Sequence, residues 1–104
     1  MEYTVVLITS PDEQTAAKIA NCLVEKRLAA CINIIAPIRS IYKWEGKIED
    51  DKEVLMIVKT RKDLFEELES SVKQMHPYSV PEIIGLPIIK GSSEYLNWIT
   101  EVTS

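Results

Sequence analysis

This sequence predicts an α+β domain with helices laid on an antiparallel sheet, in the order strand, helix, strand, strand, helix, strand, helix. Three observations carry that reading. Two apolar, β-branched runs, residues 4–9 and 53–59, have the length and composition of strands covered on both faces. Two stretches place apolar residues at three- and four-residue spacing, first Ala16, Ile19, Ala20 and Leu23, then Leu64, Leu68, Val72 and Met75, which is the period of helices packed on a sheet. Between them a glycine turn at Glu45, Gly46 and Lys47 joins two β-like segments into a long hairpin. With 104 residues and 46% hydrophobic content the chain can bury one core, so residues 1–104 are read as a single domain.

Each element follows from local chemistry. The first strand stops at Ser10, where Ser10, Pro11 and Glu13 read as an N-cap, a first helical position and a capping box; the helix they open runs to about Arg27. The second strand covers residues 30–35, with Ala30, Ile32 and Ile34 on one face and Cys31, Asn33 and Ile35 on the other. Pro37 lacks an N–H and therefore predicts an edge position or a bulge, after which residues 39–44 resume the strand as the outgoing arm of the hairpin. Thr60 reads as the N-cap of the second helix, which His76 ends because Pro77 cannot continue it. Residues 83–89 form a last strand, again an edge or bulged one because of Pro87, and Ser92 or Ser93 opens a short helix with Tyr95, Leu96, Ile99 and Val102 on its apolar side. The order fits a split βαβ, ferredoxin-like sandwich with an added C-terminal helix.

Composition removes several function classes. A formal charge of -4, with bases interspersed among acids, disfavours a phosphate backbone as partner, so no nucleic acid is expected. No apolar run is long enough to span a bilayer, and Met1, Glu2 and Tyr3 lead straight into a strand rather than a signal peptide. No membrane partner and a cytoplasmic location are the expectations. Cys22 and Cys31 lack metal-type spacing and read as reduced, mostly buried thiols.

The sheet poses a problem of coverage. Two main helices cover one face, yet the first and third strands are apolar on both, which predicts that copies associate and bury the second face together. The segment from His76 to Glu82 is the other notable feature. Pro77 and Pro81 make it a stiff extended turn that holds the chain's only histidine, a phenol and a carboxylate still. His76 fits both a helix C-cap and a metal ligand, with Cys31 as a soft thiolate donor and Glu82 as a hard carboxylate donor beside it. Tyr42, Trp44 and Tyr78 are polar-tipped aromatics suited to packing or an interface. An enzyme is disfavoured: Cys31 lies within a strand where nothing lowers its pKa, and neither a phosphate loop nor a placed carboxylate pair is present.

Several stretches together resemble the CutA divalent-cation-tolerance family: TSPD at 9–12, EKRLAACIN at 25–33, SIYKWEGKI at 40–48, KT at 59–60, HPY at 76–78, PEII at 81–84 and YLNW at 95–98. The match covers nearly the whole chain, and its order and spacing carry it. The resemblance implies a ferredoxin-like protomer in a homotrimer similar to PII signalling proteins, with a long hairpin crossing between subunits. It also implies binding of copper or other divalent cations and a role in tolerance to them. The copper site of some relatives does not transfer intact, because Met75 and Ile8 stand where those relatives carry a histidine and a cysteine. In a PII-like trimer Tyr42, Trp44, Lys59 and Tyr78 would line an intersubunit cleft, open to a small molecule or a protein partner.

Overall fold

The computed structural model describes all 104 residues. Its order is β1 (Tyr3–Ser10), α1 (Glu13–Glu25), β2 (Cys31–Trp44), β3 (Lys47–Arg61), a 3₁₀ turn (Lys62–Leu64), α2 (Phe65–Met75), β4 (Ile83–Pro87) and α3 (Ser93–Val102). The four strands form one antiparallel sheet in the order β2-β3-β1-β4. That is the α+β arrangement expected, with both proline-bearing strands at the edges. At Pro37 the β2–β3 register shifts between Ile35 and Ile38, so the missing N–H is absorbed by a bulge.

The core lies on one face. Val6 and Ile8 of β1 and Met56 and Val58 of β3 are fully buried against Ile19 and Leu23 of α1 and Leu68 and Val72 of α2. Strand alternation turns Tyr3, Val5 and Leu7 to the opposite face, where Leu86 and Ile84 of β4 stand across from Val5 and Leu7. Helix α3 packs on that second face at one end: the Tyr3 hydroxyl lies 2.7 Å from Thr100 Oγ1, and Ile99 is buried outside the main core. A third helix therefore does part of the work that the sequence assigned wholly to other subunits. The rest of the face stays open, with Ile84 and Leu86 about half exposed at 49% and 48%.

Two of the three predicted N-caps, those of α1 and α2, move. Ser10 remains in β1, fully buried, and Asp12 caps α1 by accepting the Thr15 N–H at 2.7 Å. Pro11 thus precedes the cap instead of following it. Thr60 is likewise the buried penultimate residue of β3, and its hydroxyl donates to the Leu28 carbonyl at 2.7 Å, a bond between the loop after α1 and the sheet. α2 starts five residues later, with no side-chain cap, out of the 3₁₀ turn. The Ser10 hydroxyl donates to the Asp12 carbonyl at 3.2 Å within the turn, whereas that of Thr60 is taken by the tertiary structure. Ser92 is the N-cap residue of α3, although its side chain makes no capping bond, and β4 ends at Pro87, two residues short of the expected run.

The hairpin is the longest feature. β2 and β3 contain 14 and 15 residues, the protomer measures 44 × 25 × 22 Å, and β1 pairs only with Val54 to Arg61 of β3. Beyond Val54 the hairpin is a two-stranded ribbon. Gly46 at φ 79 and Glu45 at φ 49 form its left-handed turn, where glycine carries no Cβ penalty. On the ribbon Arg39 grips Asp50 with two bonds, Nε to Oδ1 at 2.8 Å and Nη2 to Oδ2 at 2.7 Å.

The placement of Thr60 is testable. Thr60→Val keeps the shape and leaves the Leu28 carbonyl without its donor, which costs about 1–3 kcal/mol. Urea denaturation should show that loss while helical circular dichroism of the native state stays unchanged; fraying of α2 would instead restore the capping role.

Candidate functional site

His76 closes α2 and turns inward. Its backbone leaves the helix (φ -81, ψ 134) as Pro77 requires, and its N–H still donates to the Val72 carbonyl at 2.8 Å. The ring is buried and engaged at both nitrogens. The Tyr78 N–H donates to Nδ1 at 3.1 Å, so Nδ1 carries no proton; Nε2 therefore holds it and donates to the Thr9 carbonyl at 2.7 Å. The C-cap reading and the idea of a rigid turn meet in this one residue. To ligate a metal the imidazole must release one of these two bonds.

Tyr78, tilted against the His76 ring at 4.7 Å, sends its hydroxyl to Glu53 Oε2 at 2.8 Å. Burial, then the Glu53 bond, pushes its phenol well above the ordinary value near 10. Glu53 sits at the root of the hairpin with 7% of its surface exposed. Beside this pair the hairpin and the turn enclose a cavity of about 550 Å³, lined by Tyr42, Trp44, Tyr78, Glu53, Glu82 and Ser40 among others. Tyr42 donates to Asp51 Oδ2 at 2.7 Å. Asp51, with Glu53 and Glu49 nearby, favours the neutral phenol and pushes its pKa up to about 12. A broader depression of about 1290 Å³, between Tyr3, Lys62, Phe65 and Gly85, holds none of the candidate metal or cleft residues read from the sequence.

The residues read from the sequence divide between two places. Tyr42, Trp44, Tyr78 and Glu82 meet around the cavity, with His76 directly behind Tyr78. Cys31 and Lys59 do not. They pair across β2 and β3 at the level of Val5, four residues along β1 from Thr9, or about 13 Å away at strand spacing. There Lys59 hydrogen-bonds Asn33, and Cys31 faces Tyr95 of α3, where burial and then the Cys31 thiol raise the Tyr95 pKa. The expected donors His76, Cys31 and Glu82 are thus not brought together, and no three His, Cys, Asp or Glu side chains form a metal-holding group within one protomer. Glu53 went unnoticed in the sequence. Its signal was an acid abutting the apolar run of β3, but the shifted register at Pro37 decides which residues it meets.

A family profile described as CutA1 divalent ion tolerance protein matches residues 4–102. The chain is 52% identical over 99 residues to the divalent-cation tolerance protein CutA of Thermus thermophilus, covering 95% of this chain and 96% of that one. It is 51% identical over 96 residues to Protein CutA of Homo sapiens, covering 92% of this chain and 54% of the human protein, so it spans about half the length of that relative. Among solved structures, the periplasmic divalent cation tolerance protein CutA from Archaeoglobus fulgidus superposes with a TM-score of 0.96 at 47% identity, covering 98% of this chain and 99% of that one. CutA1 from Oryza sativa superposes with a TM-score of 0.97 at 41% identity, covering 100% of this chain and 95% of that one. No helix of this chain is long and apolar enough to cross a membrane.

The raised phenols set a pH dependence. A folded-state pKa above the ordinary value near 10 means that the stabilisation from Tyr42 is fully present below pH 10 and is lost as pH rises through about 12. Urea midpoints measured across that interval should fall more steeply for the wild type than for Tyr42→Phe. Parallel slopes would show that the Tyr42 to Asp51 bond does not persist in solution.

Proposed function

The chain belongs to the CutA1 divalent ion tolerance family, and on that premise we propose that it acts in tolerance to divalent cations as a non-catalytic homotrimer that binds divalent metal, copper first, at its subunit seams. The observation that carries assembly is the half-open apolar face, on which Ile84, Leu86 and Ile35 remain 49%, 48% and 45% exposed after α3 has docked. The ribbon beyond Val54 supports it too, since a free two-stranded hairpin is marginally stable in water and gains from a neighbour to lie against. Closed cyclic symmetry would cover both without leaving open edges. Two unpaired cysteines suit a reducing compartment, and we place the protein in the cytoplasm.

For copper the donors are His76 and Glu82, completed across a seam. Because His76 would give up a hydrogen bond to bind, the site is weak. Nothing in this reading calls for turnover. A second reading is favoured by the cavity itself: three aromatics and two carboxylates around about 550 Å³ suit a small ligand, with the protein acting as a PII-like regulator for which metal is incidental.

Light scattering at micromolar concentration should give three times the protomer mass, and Leu86→Lys, which puts a charge on the open face, should lower it. A monomeric wild type would end the assembly proposal. Calorimetric titration with copper should show one weak binding event that His76→Ala loses; identical isotherms would take His76 out of the site and leave the second reading.

A further inference from the structure

We propose that the cleft between the hairpin and the 77–82 turn binds a small organic cation, an ammonium group carried on an apolar or aryl body. This rests on the second reading above, that the cleft is a ligand site, and adds the charge and shape of its occupant.

The first observation is a buried carboxylate without a counter-cation. Glu53 is among the buried residues and faces the cavity, yet no lysine, arginine or histidine pairs with it. Buried carboxylates ordinarily have a cationic partner or a full set of donors. Here the Tyr78 hydroxyl satisfies Oε2 only; Oε1 has no partner in the chain and reaches solvent at the cavity, where a donor from outside can meet it.

The second observation is the sign of the surrounding charge. Glu53 and Glu82 line the cavity, and no lysine, arginine or histidine does. From Glu53 toward the tip the alternation of β3 carries Asp51 and Glu49, with Lys47 the one base on that stretch, opposite Trp44; Lys59 and Arg61 share the face but lie six and eight residues the other way, about 20 Å or more from Glu53. Lys43, Lys52 and Arg39 fall on the other side of the ladder, and Arg39 is already taken by Asp50. Asp51 beside Tyr42 disfavours its phenolate, and for Tyr78 burial does so first, with Glu53 adding to it. A phosphate or carboxylate ligand would meet repulsion here and no donor charge.

The third observation is the nature of the walls. Tyr42, Trp44 and Tyr78 offer ring faces that attract a cation stripped of water, and a hydrated metal ion makes little use of them. An ammonium N–H directed at Glu53 Oε1, with its carbon body against the rings, uses every feature of the cleft at once.

The test is calorimetry on the assembled wild-type protein with three probes of one size: phenethylammonium chloride, phenethyl alcohol and sodium phenylacetate. Phenethylammonium should bind about tenfold or more tightly than the alcohol, and phenylacetate should not bind. Glu53→Gln should erase the preference for the ammonium over the alcohol. Should that buried substitution disturb folding, Trp44→Leu near the hairpin tip, outside the protomer core, should still weaken the ammonium about threefold. Equal affinity for ammonium and alcohol, or indifference to both substitutions, overturns the proposal. Binding of phenylacetate alone overturns it while leaving the cleft a ligand site; silence from all three probes removes both.

Discussion

One nitrogen of the His76 ring meets the Thr9 carbonyl and the other meets the Tyr78 amide, so a single imidazole ties the end of α2 to the end of β1 and to the turn beyond it. The rest of the functional end depends on that clamp. Pro77 has no N–H to give and a fixed φ, so the chain leaves the helix in one direction and delivers Tyr78 over the ring. Tyr78 then reaches Glu53 across the hairpin root and closes the inner wall of the cavity. Thr9, His76, Tyr78 and Glu53 form one relay of buried or half-buried polar groups, in which the loss of any member leaves its neighbour without a partner in a low-dielectric setting.

A second constraint acts on the sheet. Its two faces were built with similar apolarity, and helices are unequally shared between them: α1 and α2 seal Val6, Ile8, Met56 and Val58 completely, while α3 reaches only the Tyr3 and Cys31 end of the other face. The chain places its polar anchors to match. Lys59 and Asn33 bond to each other beside α3, whereas Ile84, Leu86 and Ile35 lie where no helix reaches. Burial on the first face thus fixes the protomer's fold, and exposure on the second sets what the protomer can associate with.

Element type and order were legible because they rest on periodicity, and periodicity is a local property that burial of one face enforces. Pro37 and Pro87 announced edges for the same local reason. The N-caps of α1 and α2 were not legible, since Ser10 and Thr60 satisfy helix-start patterns and yet belong to strands, one at the buried end of β1 and one holding the Leu28 carbonyl. The site was half legible. Aromatics and a proline-stiffened turn can be read off the chain, and four of the residues named there do converge. Within one protomer Cys31 and Lys59 stand apart from the others because distance along a sheet depends on strand order and register, which no short motif encodes. Glu53 stayed hidden for a related reason: one bulge at Pro37 decides what stands across from it.

Charge sign links the family's concern with divalent cations to the cleft of this chain. Glu53, Glu82, Asp51 and Glu49 together favour a positive guest of any kind, so charge alone cannot choose between a metal ion and an organic cation. Ligand chemistry can. A transition metal needs two or more convergent N, S or O donors, and within a protomer His76 has spent both nitrogens while Cys31 is a strand-length away. An organic cation needs a carboxylate with a free oxygen and flat aromatic walls, and those are already in place without any bond being broken. A metal therefore has to bring donors from a second subunit or displace the Tyr78 amide, and either requirement couples its binding to assembly or to the stiffness of the turn.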